Sequence, residues 1–420
     1  MIEVKPDKIK KYIEINVPGS KSYTHRMLIA AALSDGVCVL KNCLKSEDTQ
    51  LTKETLMKLG IRIDDSGDVV EVHGSKGKFQ SFTEPIYLGN SGTSMRLLTP
   101  LVSLGTGTYT LMGSERMHQR PIQDLLNSMN QMGIPAYSVR DNGCPPIEIS
   151  AHRVKGGTIQ LSCKMSSQYL SALLLIAPFS ENTIEIQITE GPVSKPYIDM
   201  TVDVMSKFDV WVVSDGYDRF TVEGGQIYRS GQYSVEPDSS QAGYFWAAAA
   251  ITGSTVKVMG IKDDSRQGDV HFAETLGRMG CVLKKQDNGI AVTGGQLSGI
   301  EVDMEDMPDM VPTLAIVAAF AEGTTVIKNV AHLKAKECDR IDAVLKEFSK
   351  LGVQAEWTST DLVIKGGWSH GAEIDTYNDH RIAMSFAIAG LKIPGIAIRN
   401  ESCVEKSFPE FWQVFKRMYL

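Results

Sequence analysis

The sequence predicts an α+β protein of two domains, each built from three copies of one supersecondary unit. Three observations predict it. Six apolar, mostly Ala-rich stretches recur along the 420 residues, with starts roughly 70 residues apart. A second series of amphipathic stretches, most of them ending in Gly, keeps the same period. After these come an alternating run, a polar turn and another extended run, which reads as a hairpin.

The elements follow in order. "SKSYTHRMLIAAAL" from Ser20 is the first apolar helix, and "GNSGTSMRLLTPLVSL" from Gly89 is the second. Next come "KMSSQYLSALLLIAP" from Lys164, "PDSSQAGYFWAAAAI" from Pro237, "MPDMVPTLAIVAAF" from Met307 and "NDHRIAMSFAIAG" from Asn378. The amphipathic helices end in "MKLGI" at Gly60, "NQMGI" at Gly133, "GRMGC" at Gly280 and "SKLGV" at Gly352. Gly after a helix takes the left-handed conformation without a Cβ penalty. "SKFDV" puts Asp209 in the same slot, a poorer substitute. Each unit is therefore an apolar helix, a strand, an amphipathic helix and a hairpin.

The sixth unit has its amphipathic helix, "FPEFWQVFKRMYL", but no hairpin follows. The stretch "MIEVKPDKIKKYIEINV" at the other end is the candidate to replace it. The expected arrangement is a continuous domain, 18–235, and a split domain, 1–17 plus 236–420. Crossings near Pro18-Gly19 and Glu236-Pro237 would join them. The alternative is a single ring of six units with no hinge.

Charged residues are 22% of the chain and apolar residues 43%, ordinary for a soluble globular enzyme. The net charge of −7 and the lack of a long basic run argue against a nucleic-acid partner. The seven Cys form no C-x-x-C pair, which suits reduced thiols in a cytoplasmic protein. The eight His make no H-x-x-x-H pair, so no zinc site is expected. There is no apolar signal core and no apolar run of about 18 residues, so no membrane partner is expected.

Polar groups open every buried helix: Lys21-Ser22, Asn90 to Thr93, Ser166-Ser167-Gln168, Asp238 to Ser240, Asp309, and Asn378 to Arg381. Capping explains Ser, Thr, Asp and Asn at such places, and it is the reading for Asp238. Capping does not explain Lys21, Arg26 or Arg381, because a cation at a helix N-terminus opposes the macrodipole. An anionic ligand held by free N–H groups would explain them. Gly92 fits, since a missing side chain lets backbone approach a ligand. The amphipathic helices open with Arg116 and Arg120, with Ser194, Lys195 and Tyr197, with Lys334, Lys336, Glu337 and Arg340, and with Lys406. So many cations in an acidic chain imply a small, multiply charged anion. They fall in both expected domains, which places the expected site in the cleft between them.

The motifs "PGSKSYTHR", "LGNSGTSMR", "RPIQDL", "MSSQYLSALL", "SKPYIDMT", "MPDMVPT", "KAKECDRI" and "YNDHRIAM" resemble the 5-enolpyruvylshikimate-3-phosphate synthase family, nearly end to end. The resemblance implies two domains of three βαβαββ units, each an inside-out α/β barrel, or α-β prism. It implies transfer of the enolpyruvyl group of phosphoenolpyruvate to shikimate 3-phosphate, with no metal or other cofactor. It assigns Lys21, Ser22, Arg26, Ser166, Ser167, Gln168, Ser194, Tyr197, Asp309 and Lys336 to shikimate 3-phosphate. It assigns Lys21, Asn90, Gly92, Arg120, Gln168, Arg340, His380, Arg381 and Lys406 to phosphoenolpyruvate. Asp309, Glu337 and Lys21 are the implied proton-transfer groups. Glyphosate is the implied inhibitor, and a monomer is expected. The chain departs from the family at His332, where many members have Asn, at Leu97, where many have Pro, and in the "NSGTS" loop.

Three rivals stand beside this reading. The enolpyruvyl transferase that acts on UDP-N-acetylglucosamine would start with a K-N pair and carry a Cys in its "GSERMHQRP" loop; this chain has Ser22 and no Cys there. An RNA 3′-terminal phosphate cyclase would need a basic, aromatic surface. A non-enzymatic repeat scaffold would not need cations at helix mouths.

Overall fold

Each Ala-rich stretch folds as a helix buried on nearly every side, and each amphipathic stretch as a helix with one wet face. The computed structural model describes residues 1–5, 8–67, 69–368 and 370–419. The chain divides into two units, Gly19–Val235 and Met1–Pro18 with Glu236–Leu420. The continuous domain was expected to begin at residue 18. Pro18 instead goes with the split unit, where its carbonyl accepts from Asp238 N at 2.9 Å.

The continuous unit holds α1 (Lys21–Leu33), α2 (Glu47–Lys58), α3 (Gly92–Leu101), α4 (Gln123–Gln131), α5 (Gln168–Ile176) and α6 (Pro196–Lys207). α1, α3 and α5 are the Ala- and Leu-rich helices. Ala and Leu, which carry no branch at Cβ, favour the helix. Nearly every residue of these three helices is buried. Three four-stranded sheets surround them. In the second sheet, Ile86–Tyr87 runs parallel to Thr108–Met112, which pairs antiparallel with Ile147–Ser150 and through it with Ala136–Ser138. The third repeats that order with Gly157–Ser162, Ile184–Glu190, Arg219–Val222 and Val213–Asp215. The first takes its opening strand, Gln232–Ser234, from the far end of the unit. The helices lie inside and the sheets are the faces of an inside-out prism. One buried cluster runs through all three repeats, so Leu173→Ala in α5 would cost about 2–5 kcal/mol.

The split unit holds α7 (Ser239–Thr252), α8 (Phe272–Arg278), α9 (Val311–Ala319), α10 (Arg340–Leu351), α11 (His380–Ala389) and α12 (Phe411–Lys416). It is a second prism, with α7, α9 and α11 buried inside. Its sixth sheet corrects the expected pairing. Only Ile2–Glu3 stands in for the missing hairpin, antiparallel to Ala397–Ile398. Tyr12–Ile15 instead runs parallel to Thr255–Met259 and opens the fourth repeat. The residues after the amphipathic helices are left-handed, with φ of 92° at Gly60, 81° at Gly133, 115° at Gly280 and 72° at Gly352. Asp209 sits in the same region at 64° despite its Cβ. Among the described residues no helix is long and apolar enough to cross a membrane.

Candidate active site

In the continuous unit Arg26 and Arg96 are held by neutral acceptors near the helix mouths. Ser91 caps α3 by accepting from Ser94 N, and its Oγ lies 2.7 Å from Ser94 Oγ. The hydroxyl chain continues from Ser94 to Thr52 at 2.8 Å and on to His25 Nδ1 at 2.8 Å, tying α3 to α2 and α1. Gly92 opens α3 under two guanidiniums. A Cβ there would lie 2.4 Å from Arg120 Nη2 and 2.5 Å from Arg96 Nη1. Arg120 donates to Asn90 O at 2.9 Å and Asn90 Oδ1 at 3.2 Å. Arg96 donates to Gln168 Oε1 at 3.2 Å, and its guanidinium lies 5.9 Å from the Tyr169 ring. Gln168 Nε2 donates to Thr93 Oγ1 at 3.1 Å, so α3 and α5 share one polar edge.

Arg26 lies one turn inside α1 and is buried. It donates to Thr201 Oγ1 at 2.7 Å, Ser22 O at 3.0 Å, Ser171 Oγ at 3.2 Å and Tyr197 O at 3.0 Å. Burial pushes it down to about 10, which leaves it charged at neutral pH. Among the described residues neither Arg26 nor Arg96 makes an ion pair with a carboxylate. Lys21 differs: its Nζ is 3.2 Å from Asp48 Oδ2, so α2 supplies one anion that the sequence argument had left to a ligand. Ser22, Asn90, Ser166, Gln168 and Tyr197 are half-buried, while Ser167 and Ser194 are buried. Ser194 is left-handed, with φ of 57°, just before α6.

In the split unit the mouths are cations held by carboxylates. Arg340 opens α10 and is 1% exposed. Its Nη1 meets Asp309 Oδ1 at 2.8 Å, its Nη2 meets Glu337 Oε2 at 3.0 Å, and its Nε meets Asp379 Oδ2 at 2.8 Å. Arg381, in the first turn of α11, meets Asp309 Oδ2 at 2.7 Å and donates to Tyr244 OH at 3.1 Å. Burial alone would lower the Arg340 pKa; Asp379, Glu337 and Asp309 outweigh it and raise it well above the ordinary value. The same holds for Arg381, where Asp309 is the leading partner. Asp379 caps α11, accepting from Arg381 N at 2.8 Å. His380 is buried beside it, with Nδ1 3.6 Å from Asp379 Oδ1. Lys336 is half-buried, and Lys406 is buried at the end of the 3-10 segment Glu401–Lys406. Asp238 caps α7 through Gln241 N at 3.1 Å, in keeping with the capping reading.

The structure thus gathers Asn90, Gly92, Arg120 and Gln168 into one cluster, and Asp309, Glu337, Arg340 and Arg381 into another. Sequence reasoning missed Arg96, although its place one turn after Gly92 puts it on the same helix face. It counted Asp379 only as a polar mouth residue, and did not find Asp48, Tyr244 or Asp269. Asp269 is buried, accepts from Ser240 Oγ at 2.7 Å, and is pushed up to about 7 by burial and by Asp309. His332 is buried near Lys336 and Asp309; burial, then Lys336, push it down to about 3, so its ring is neutral.

The chain as a whole has counterparts among known proteins. The family model for EPSP synthase (3-phosphoshikimate 1-carboxyvinyltransferase) matches residues 5–415. The 3-phosphoshikimate 1-carboxyvinyltransferase of Syntrophobacter fumaroxidans is 40% identical over 408 residues, 96% of each chain. The chloroplastic enzyme of that name from Arabidopsis thaliana is 42% identical over 425 residues, covering 96% of this chain and 82% of the other. A solved EPSP synthase from Acinetobacter baumannii superposes with a TM-score of 0.83 at 29% identity, over 100% of this chain and 98% of that one. The family match spans residues 5–415 and the relatives carry that enzyme's name, which speaks against the rival enzymes and the inert scaffold, and the chain belongs to the EPSP synthase family.

Proposed function

We propose that the two cation clusters serve one reaction: transfer of the enolpyruvyl group of phosphoenolpyruvate to the 5-hydroxyl of shikimate 3-phosphate. C3 of phosphoenolpyruvate gains a proton while the 5-hydroxyl oxygen bonds to C2 and gives up its own. The tetrahedral intermediate then loses a C3 proton and phosphate, which restores the double bond. The product is 5-enolpyruvylshikimate 3-phosphate, an intermediate of aromatic amino acid synthesis.

In this reading Ser22, Arg26, Ser166, Ser167, Ser194 and Tyr197 of the continuous unit, with Lys336, hold shikimate 3-phosphate. Arg120, Arg340, Arg381, His380 and Lys406, with Asn90 and Gly92, hold phosphoenolpyruvate. Lys21 and Gln168 serve both. Asp309 takes the 5-hydroxyl proton, and Glu337 or Lys21 handles the proton at C3. Fixed guanidiniums stabilise the charge that gathers on the departing phosphate.

The observation that carries the reading is Asp309, half-buried and gripped on both oxygens by Arg340 and Arg381. A carboxylate fixed between two guanidiniums is oriented to accept a proton beside a site for an anion. Arg96 joins the phosphoenolpyruvate side through its place over Gly92. Glyphosate, a small dianion with a carboxylate and a phosphonate, would compete for the same guanidiniums. The chain supplies every assigned residue itself, which suits a monomer, and the cytosol suits its free thiols. Incubating the protein with both substrates should release phosphate in step with product; no phosphate release would refute the reading.

A further inference from the structure

The three cations assigned above to phosphoenolpyruvate in the split unit stand on three separate elements: Arg340 on α10, Arg381 on α11 and Lys406 on the 3-10 segment after Asn400. One buried carboxylate, which the mechanism does not use, ties them together. Glu347 lies two turns after Arg340, so both side chains leave the same face of α10. It is fully buried. Its Oε1 accepts from Tyr377 OH at 2.6 Å. Its Oε2 accepts from Asp375 N at 3.1 Å and Lys350 Nζ at 2.8 Å.

The loop it grips is unusual. Tyr377 and Asn378 are consecutive non-Gly residues with φ of 53° and 54°. Left-handed backbone is tolerated by Asn but unfavourable for a bulky residue such as Tyr377, where it persists because surroundings hold it. The next residue is Asp379, which grips Arg340 and caps the helix of Arg381. Asn378 Oδ1 also accepts from Asn400 Nδ2 at 3.0 Å. Asn400, itself left-handed at 48°, opens the segment that ends in Lys406. Hydrogen bonds and short stretches of chain therefore connect α10, through Glu347, Tyr377 and Asn378, to Asp379 beside Arg381 and to the segment that ends in Lys406.

We infer that Glu347, acting through the Tyr377 hydroxyl, is a positioning residue that sets Arg340, Arg381 and Lys406 in register for phosphoenolpyruvate. The inference rests on the assignment of these three cations to that substrate. Glu347 touches no substrate; it holds the strained loop in the one conformation that aims Asp379 at Arg340.

Tyr377→Phe removes one hydroxyl from a side chain that is 36% exposed, so the variant should fold. Its KM for phosphoenolpyruvate should rise about tenfold, the scale of one charge-assisted hydrogen bond, while its KM for shikimate 3-phosphate stays within about twofold. Glu347→Gln should show the same split, more strongly. Amide hydrogen exchange without substrate should quicken at residues 376–382 in Tyr377→Phe. Unchanged exchange together with an unchanged KM for phosphoenolpyruvate would overturn the inference, as would an equal rise of both KM values. The wild-type assay separates the two layers: no phosphate release there refutes the assigned reaction, whereas the exchange measurement still tests the loop.

Discussion

The two units solve one problem in opposite ways. Each must keep guanidiniums at the mouths of buried helices, against the helix dipole. The continuous unit surrounds Arg26 and Arg96 with hydroxyls, amides and carbonyls, and leaves their charge uncompensated. The split unit surrounds Arg340 and Arg381 with Asp309, Glu337 and Asp379. Neutral acceptors orient a cation and leave its field for a ligand. Carboxylates orient it too, cancel much of that field, and bring groups that move protons. The first arrangement suits binding an anion; the second suits chemistry on one.

The sharpest way to break this comparison is to shorten a cation in each unit. Arg340→Lys cannot reach three carboxylates, and the buried Asp379 loses its guanidinium partner. The cost should be about 3–5 kcal/mol of stability, since a buried charge loses its partner. Chemical denaturation measures it. A variant as stable as wild type would show that the carboxylates do not depend on Arg340.

Asp269 tests the acidic side by pH. Burial, then Asp309, raise its folded value to about 7 from an ordinary 3.8. The folded state therefore binds its proton more tightly than the unfolded chain does. The stability this lends is complete below about pH 4 and is lost as pH rises through about 7. Asp269→Asn cannot ionise and escapes that loss. Between about pH 5 and about pH 8, wild type should lose on the order of 2–3 kcal/mol relative to the variant. Parallel melting-temperature curves would contradict it.

Gly92→Ala probes the neutral side. The new Cβ would lie 2.4 Å from Arg120 and 2.5 Å from Arg96, so both guanidiniums must move. The expected effect is a roughly tenfold or greater rise in the KM for phosphoenolpyruvate, about 1.4 kcal/mol, with little change in stability. Unaltered kinetics would mean that neither Arg is used where it stands. The smallest effect belongs to Arg96→Lys. With only neutral partners to lose, it should cost less than about 1.5 kcal/mol of stability. A loss as large as that of Arg340→Lys would erase the contrast.

The sequence disclosed these features unevenly, for physical reasons. The repeat was legible because Gly60, Gly133, Gly280 and Gly352 must all turn left-handed after a helix. Two of the strands before buried helices were not, since Ile86–Tyr87 and Glu373–Ile374 are two residues long and carry no period. Tyr12–Ile15 alternates clearly, but alternation does not name a partner, so it was joined to the wrong sheet. Arg381 and Lys21 stood out because a cation at a helix mouth contradicts the dipole. Asp379 did not, because Asp before a helix already has an ordinary reading as a cap. Asp48 and Glu347 act across elements, and nothing local marks them.

The central claim is that the carboxylate-held mouth supplies the proton-moving group Asp309 as well as anion-binding cations, while the neutral-held cations only bind. Asp309→Asn tests it most directly, because Asn keeps the shape and cannot accept the proton. Titration calorimetry with shikimate 3-phosphate and phosphate release under saturating substrates should be measured on one preparation. The account predicts affinity within about threefold of wild type and turnover lower by on the order of 100-fold. Affinity lost in proportion to turnover, or turnover preserved, would contradict it.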